Sequence, residues 1–375
     1  MRLGCTVCLG LTLLAPGVVV PAALPAEPVV SAVPVPPAAE RASVRPGVVP
    51  PGPVTPADLA RGRAGSAGTA AAPAAPAVPA AATTITGIGK VSFRQILALQ
   101  VGLDRLHFSP GCLDGKLGGQ TRLAIQAWQL AHDQSPTGEL AAADLAQFGT
   151  PEDAVAPYTV TAADLAELVP APKTWKEKSE MARLGHNTIL ELISEAFHCK
   201  EDLLRRLNPD VDWSAVKAGA VLTVPDPQAG AAPLPMAAWL QVNLEEKTIR
   251  ACDSRGRILA HFPCSIARKA EKRPSGEAKV VAIAPNPTYT YDPALFADEE
   301  ESKLYKGKMM IPAGPNNPVG VAWIGLDLPG YGMHGTPKPE DIGKTGSHGC
   351  FRLANWNAAK LLQMVTLGTP VKFAP

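Results

Sequence analysis

The sequence predicts a multidomain chain: a small all-α three-helix module, a small α+β module and a mostly-β C-terminal domain. Three observations predict it. Apolar residues recur at helical spacing between Phe93 and Phe148. Two short helical patterns lead into one strand between Thr188 and Pro225, and short strand-like runs dominate from about Met236 onward. At 375 residues, 46% of them apolar, the chain is long enough for two or three domains with cores of their own. With 35 basic and 34 acidic residues the formal net charge is +1, so no strong field steers the protein toward nucleic acid or an anionic membrane.

Residues 1–26 read as a secretory signal peptide. Arg2 precedes an apolar run from Leu9 to Val20, and Ala22, Ala23 and Ala26 supply small residues for cleavage. An uncleaved anchor is the alternative, which Pro16, Pro21 and the short span oppose. Residues 27–90 are rich in Pro, Ala and Val and read as an extended, disordered tether.

The helical module is expected over residues 91–150. Ile96, Leu97, Leu99, Val101 and Leu103 mark one helix, and Leu123, Ile125, Ala127 and Trp128 mark a second. Between them lies a glycine-punctuated turn, Gly111 to Thr121, whose Gln120-Thr121 leads into the second helix. The stretch resembles the small three-helix peptidoglycan-binding module in Leu99-Gln100, Asp114-Gly115, Gly118, Thr121, Trp128-Gln129 and Thr137-Gly138. The resemblance implies wall binding, although Asp114-Gly115 also suits a plain turn.

The α+β module is expected over residues 157–226. Thr188 to Phe197 reads as a helix, Leu203 to Leu207 as another stopped by Asn208-Pro209, and Val221 to Pro225 as a strand. This order is similar to the lysin-motif fold, which implies glycan binding; a purely structural role stays open. Tyr158-Thr159-Val160 supplies the first strand, which leaves Ala162 to Asn187 as a long insertion.

The C-terminal domain is expected over residues 236–375. Strands are read at Trp239–Leu244, Thr248–Cys252 and Ile258–Cys264, with Asp253-Ser254-Arg255-Gly256 as the hairpin turn between the last two. A helix from Trp356 to Val365 and a closing strand at Val371–Phe373 follow.

Seven cysteines are present, and Cys5 and Cys8 would leave with the signal. Cys112, Cys199, Cys252 and Cys264 read as buried small apolar residues rather than disulfides or metal ligands, and no cofactor is implied. Cys350 is different. It sits in Ser347-His348-Gly349-Cys350-Phe351-Arg352, sixteen positions after His334 of Met333-His334-Gly335-Thr336. A free thiol is a useful nucleophile only when an imidazole, a cation or backbone donors lie close by. His334, His348 and Arg352 supply the first two, and backbone N–H groups around Gly349 and Cys350 are candidate oxyanion donors. Tyr289, Tyr291 and Tyr331 read as core, and the other histidines as structural or exposed.

At these residues the sequence resembles the L,D-transpeptidase catalytic domain of YkuD type, which carries His-Gly followed by Ser-His-Gly-Cys-x-Arg. Pro315 to Gly320, Trp323-Ile324 and Gly368 to Val371 extend the likeness. The resemblance implies that Cys350 attacks the third residue of a peptidoglycan tetrapeptide stem and releases D-alanine. An amine acceptor then resolves the thioester as a 3–3 cross-link. It implies His334 as the proton carrier, with His348 shaping the oxyanion loop or orienting His334, and with Ser347 and Gly349 completing the motif. Arg352 pairs with a substrate carboxylate or braces the loop. Some members place a serine after the catalytic histidine where this chain has Gly335, so a backbone carbonyl is the expected orienting group. Water or a lysine of an outer-membrane protein are alternative acceptors. A non-catalytic wall-binding protein is the reading outside enzymes.

Overall fold

The computed structural model describes residues 83–85, 88–296, 300–347 and 349–374. The signal peptide and all but the last few residues of the expected tether lie outside them. At the end of that segment β1 (Thr83–Ile85) pairs antiparallel with β2 (Ile88–Val91), so regular structure begins ahead of the expected boundary.

The helical module follows. Ser92 Oγ accepts from Gln95 N at 3.3 Å while Gln95 Oε1 accepts from Ser92 N at 2.9 Å. This reciprocal cap starts α1 (Phe93–Arg105). Next come α2 (Gly119–Ala131) and a one-turn α3 (Ala142–Leu145). The signature residues are fold determinants. Buried Gln100 donates to Asp114 Oδ1 and Thr121 Oγ1, each at 3.1 Å, and accepts from the N–H of Asp114 and of Gly115. Gln129 repeats the arrangement, donating to Thr137 Oγ1 and accepting from Gly138 N. Each glutamine thus satisfies a turn that would otherwise bury unpaired backbone groups.

In the next module β3 (Val155–Thr159) pairs antiparallel with β4 (Val221–Pro225), and α6 (Ile189–Ala196) and α7 (Glu201–Leu207) lie between them in sequence. Asn208 ends α7 and clips it to β4: its Oδ1 accepts from Thr223 N at 2.7 Å and its Nδ2 donates to Thr223 O at 2.8 Å. The insertion holds α4 (Ala162–Ala166) and α5 (Trp175–Glu180) and docks on the C-terminal domain. Trp175 stacks on Tyr291 with ring centroids 4.0 Å apart, and Leu184 N donates to Ala313 O at 2.9 Å.

The C-terminal domain is mostly β, as expected. Its strands are β5 (Trp239–Asn243), β6 (Thr248–Cys252), β7 (Ile258–Pro263), β8 (Gly276–Pro285), β9 (Tyr289–Tyr291), β10 (Met309–Ile311), β11 (Ala322–Leu326), β12 (Gly332–His334), β13 (Phe351–Arg352) and β14 (Pro370–Ala374). One helix, α8 (Asn355–Met364), packs Ala358, Leu361 and Met364 into the core. Eight strands form one sheet in the order β13-β12-β11-β8-β14-β5-β6-β7, and β9 pairs with β10 separately.

That sheet curls until its two edges meet. Just past β7, Ser265 N donates to Arg352 O at 2.8 Å and Arg352 N returns the bond to Ser265 O at 3.0 Å. Ser347 N then donates to Ile266 O at 2.8 Å, and Arg268 N donates to Ser347 O at 3.0 Å. Ser347 and the segment from Gly349 to Arg352 therefore lie along the seam. The remaining exposed edge of β7 is covered by the helical module, where Ser109 N donates to His261 O at 2.9 Å.

The three modules also meet at a buried charged node. Asp104, 1% exposed on α1, takes Lys360 Nζ of α8 at 2.8 Å and His198 Nδ1, which follows α6, at 2.5 Å. Burial alone would raise the Asp104 pKa, but the charges and hydrogen bonds of Lys360 and His198 hold it well below the usual carboxylate range. No helix among the described residues is long and apolar enough to cross a membrane.

Candidate active site

Parallel pairing of β12 with β13 brings the two halves of the motif together, with Met333 opposite Phe351 and His334 opposite Arg352. Alternation along the strands then sorts their side chains. Met333 and Phe351 are fully buried in the barrel core, so His334 and Arg352 project from the other face, with Cys350 one residue before β13. Cys350 belongs to a separate apolar cluster with Leu184, Tyr289, Tyr291, Ile311, Val319 and Trp323. The reading of Tyr289 and Tyr291 as core residues agrees with this, and the core they form is the one around the thiol.

Both candidate side chains are largely withdrawn from water, Cys350 at 8% exposed and His334 at 7%. The Cys350 thiol points to the Gly330 carbonyl at 3.4 Å. The His334 ring stacks beside Trp323, its register partner on β11, with centroids 5.8 Å apart. His334 Nδ1 lies 2.7 Å from the Gly335 carbonyl oxygen. A carbonyl only accepts, so Nδ1 carries the proton and Nε2 carries the lone pair. Burial pushes the His334 pKa down to about 4, with the Gly335 carbonyl opposing and Arg352 adding to the shift. At neutral pH this imidazole is an uncharged base in a fixed tautomer.

Ser347 shapes the turn before Cys350. Its Oγ donates to Cys350 O at 2.5 Å and accepts from Gly349 N at 3.2 Å. The Gly349 N–H, expected as an oxyanion donor, is thus engaged by Ser347. Arg352 Nη2 donates to Thr345 O at 3.2 Å and Thr345 Oγ1 at 3.0 Å, which ties the loop to β13. Of the two roles open to Arg352, this geometry supplies the bracing one. His348, expected to shape the oxyanion loop or orient His334, lies outside the described residues.

The other four cysteines outside the signal are buried and free, as expected. Burial raises the Cys264 and Cys252 thiol pKa values, the latter to about 11, so neither offers a thiolate. A cleft of about 470 Å³ lies between the helical module and the loop from Pro339 to Lys344; its lining includes neither Cys350 nor His334. Among the described residues no group of three or more His, Cys, Asp or Glu converges on a metal-sized site. Sequence reasoning missed Asn355, which packs behind Gly335, and Trp175, which joins the cluster around Cys350 from another module. Neither has a local signal.

Residues 237–373 match the family "L,D-transpeptidase catalytic domain", and residues 94–143 match "Putative peptidoglycan binding domain". The chain is similar to "Putative L,D-transpeptidase YkuD" of Bacillus licheniformis, at 27% identity over 50% of this chain and 93% of that one. It is similar to "Putative L,D-transpeptidase YqjB" of Bacillus subtilis, at 29% identity over 38% of this chain and 74% of that one. "Probable L,D-transpeptidase YbiS" of Escherichia coli matches at 27% identity over 50% of this chain and 61% of that one.

Proposed function

We propose, for a chain whose C-terminal domain belongs to the YkuD L,D-transpeptidase family, that Cys350 is the nucleophile and His334 the single proton carrier of a two-step exchange on peptidoglycan stems. The enzyme is an L,D-transpeptidase and carries a peptidoglycan-binding domain. The observation behind the proposal is the shared face of β12 and β13: a neutral imidazole with Nδ1 tied to the Gly335 carbonyl stands on the same side as Cys350.

In the first step Nε2 takes the thiol proton as sulfur attacks the carbonyl of the third stem residue. The imidazolium then returns that proton to the departing amine of D-alanine, leaving a thioester. In the second step the same nitrogen accepts a proton from the incoming amine, and the acyl group leaves sulfur for nitrogen. Burial suits this cycle, because the proton is held by a dry base and is returned within each step. Ser347 and Arg352 hold the loop, and the Cys350 N–H and His348 are assigned to the oxyanion side.

Export of the chain follows from the expected signal peptide and tether, with the periplasm or cell wall as destination. A glycan-binding role for the lysin-motif-like module follows from its strand and helix order. The acceptor is taken to be the amine of a second stem. Muropeptide analysis with purified tetrapeptide stems tests this: 3–3 dimers are expected, whereas tripeptides without dimers would show water as the acceptor. A carbapenem is expected to add covalent mass to the wild type and none to Cys350→Ala. An adduct retained in Cys350→Ala would refute the nucleophile.

A further inference from the structure

We propose that Gln120, in the peptidoglycan-binding module, is a positioning residue for the loop that carries Cys350, so that docking of this module sets the geometry of the thiol. The inference rests on the catalytic reading above and adds a residue from another module to it. Gln120 stands at the second position of α2, whose preceding residue Gly118 makes no side-chain cap. Its side chain leaves the helix and donates through Nε2 to the carbonyl of Ile342 at 2.7 Å. Sequence separation across this bond is 222 residues.

The seat of the carboxamide is built for it. On one side is Gly111 at φ +81°, where a β-carbon would stand 2.1 Å from Gln120 Oε1. On the other is Gly343 at φ +77°, where a β-carbon would stand 2.9 Å from Nε2. Both positions need glycine twice over, for the left-handed backbone and for the room the amide occupies. A contact with a shaped slot on each flank is more than two surfaces that happen to touch.

The slot lies on the segment that runs from His334 to Cys350. Gly343 N donates to Ser265 Oγ at 3.0 Å, and Lys247 Nζ donates to Gly343 O at 3.2 Å. Ser265 is also the residue that exchanges backbone bonds with Arg352 at the seam. Ile342-Gly343 is therefore gripped by Gln120 from the helical module and by Lys247 and Ser265 from the barrel. A displacement at Gly343 reaches Arg352, two residues past the nucleophile, through one serine. Removing the Gln120 donor leaves the Ile342 carbonyl to water and loosens one side of that grip.

The experiment compares wild-type full-length enzyme with Gln120→Ala and the near-isosteric Gln120→Glu, which places an acceptor against the Ile342 carbonyl. Because a misplacement of about 1 Å costs up to ~100-fold in rate, a loosened loop is expected to lower kcat about fivefold in Gln120→Ala and more in Gln120→Glu. KM for the tetrapeptide stem is expected to stay unchanged, since the Gln120 carboxamide is already held between Gly111, Gly343 and the Ile342 carbonyl. The rate of Cys350 alkylation by iodoacetamide, which reads the thiol without peptidoglycan, is expected to shift in the same two variants. Unchanged kcat and unchanged alkylation in both variants, or a rise in KM at constant kcat, would overturn the proposal. If the wild type fails to turn over the stem, the transpeptidation reading falls while alkylation still decides the role of Gln120.

Discussion

Gly335 has no side chain because Asn355 occupies the space: a β-carbon there would stand 2.1 Å from Asn355 Oδ1. Asn355 has nowhere to retreat. It is 1% exposed, and its Nδ2 donates to both carboxylate oxygens of Glu195 at 3.1 Å and to the Pro315 carbonyl at 3.0 Å. The serine that some family members place after the catalytic histidine does not fit this barrel. The orienting acceptor for His334 is instead the Gly335 carbonyl, the kind of group the sequence led us to expect.

Gly335→Ser is therefore expected to destabilise the protein by about 1–3 kcal/mol through overpacking. Acylation by a carbapenem is expected to slow more than about tenfold as the displaced carbonyl releases His334, in line with a role in general base catalysis. Thermal unfolding and acylation rates check this, and Asn355→Ala in the same chain should recover part of the stability by restoring room.

The depressed His334 pKa gives a pH prediction. The imidazole remains neutral down to about pH 4 in the folded enzyme, against 6.5 for an ordinary histidine. The acid limb of kcat/KM assigned to the base should therefore fall near pH 4. Between pH 6.5 and about 4 the unfolded chain binds the proton and the folded one does not, so stability contributed by neutral His334 is lost as pH falls through that window. Ring resonances of His334 followed by NMR in Cys350→Ala would test both; a midpoint at or above 6.5 contradicts the assignment.

At the junction of the modules, Asp104→Ala leaves half-buried Lys360 and buried His198 without their carboxylate. Breaking a buried pair from one side costs about 3–5 kcal/mol, so a large fall in Tm is expected. Pairing it with Lys360→Met should restore much of the loss, because the second change removes the stranded charge. Equal Tm values for the single and double variants would show that the node contributes through shape alone.

Trp175→Ala removes the stack on Tyr291, while Trp175 N still donates to Glu301 Oε1 at 2.6 Å. Faster proteolytic cleavage is expected within residues 162–187, together with a loss of about 0.5–1.5 kcal/mol beyond the area exposed, the usual worth of an aromatic pair. Limited proteolysis followed by mass mapping reads the site of cleavage directly.

What the sequence revealed was what neighbours in the chain decide. β6 is buried along its whole length and shows no alternation, yet Asp253 to Gly256 placed it, because that turn closes with Asp253 N on Arg257 O at 3.0 Å. The motifs that hold His334 and Cys350 are each local in sequence, and the fold sets them side by side at β12 and β13. Contacts such as Gln120 to Ile342 or Asp104 to Lys360 carry no periodicity and no local motif, so nothing announces them before the chain is folded. The insertion was visible as an oddity of its module, and only its packing on Tyr291 explains what it serves.

The closure of the barrel between Ser265 and Arg352 has a further consequence for when this enzyme becomes an enzyme. The proposed nucleophile, Cys350, stands two residues before a stitch that joins the two ends of a sheet, a pairing between distant parts of the chain that forms late and opens early relative to local structure. Competence is thus acquired with the last fastening rather than with the bulk of the fold. Mild denaturant should silence the thiol while most strands remain paired, so activity is expected to vanish ahead of the circular dichroism signal.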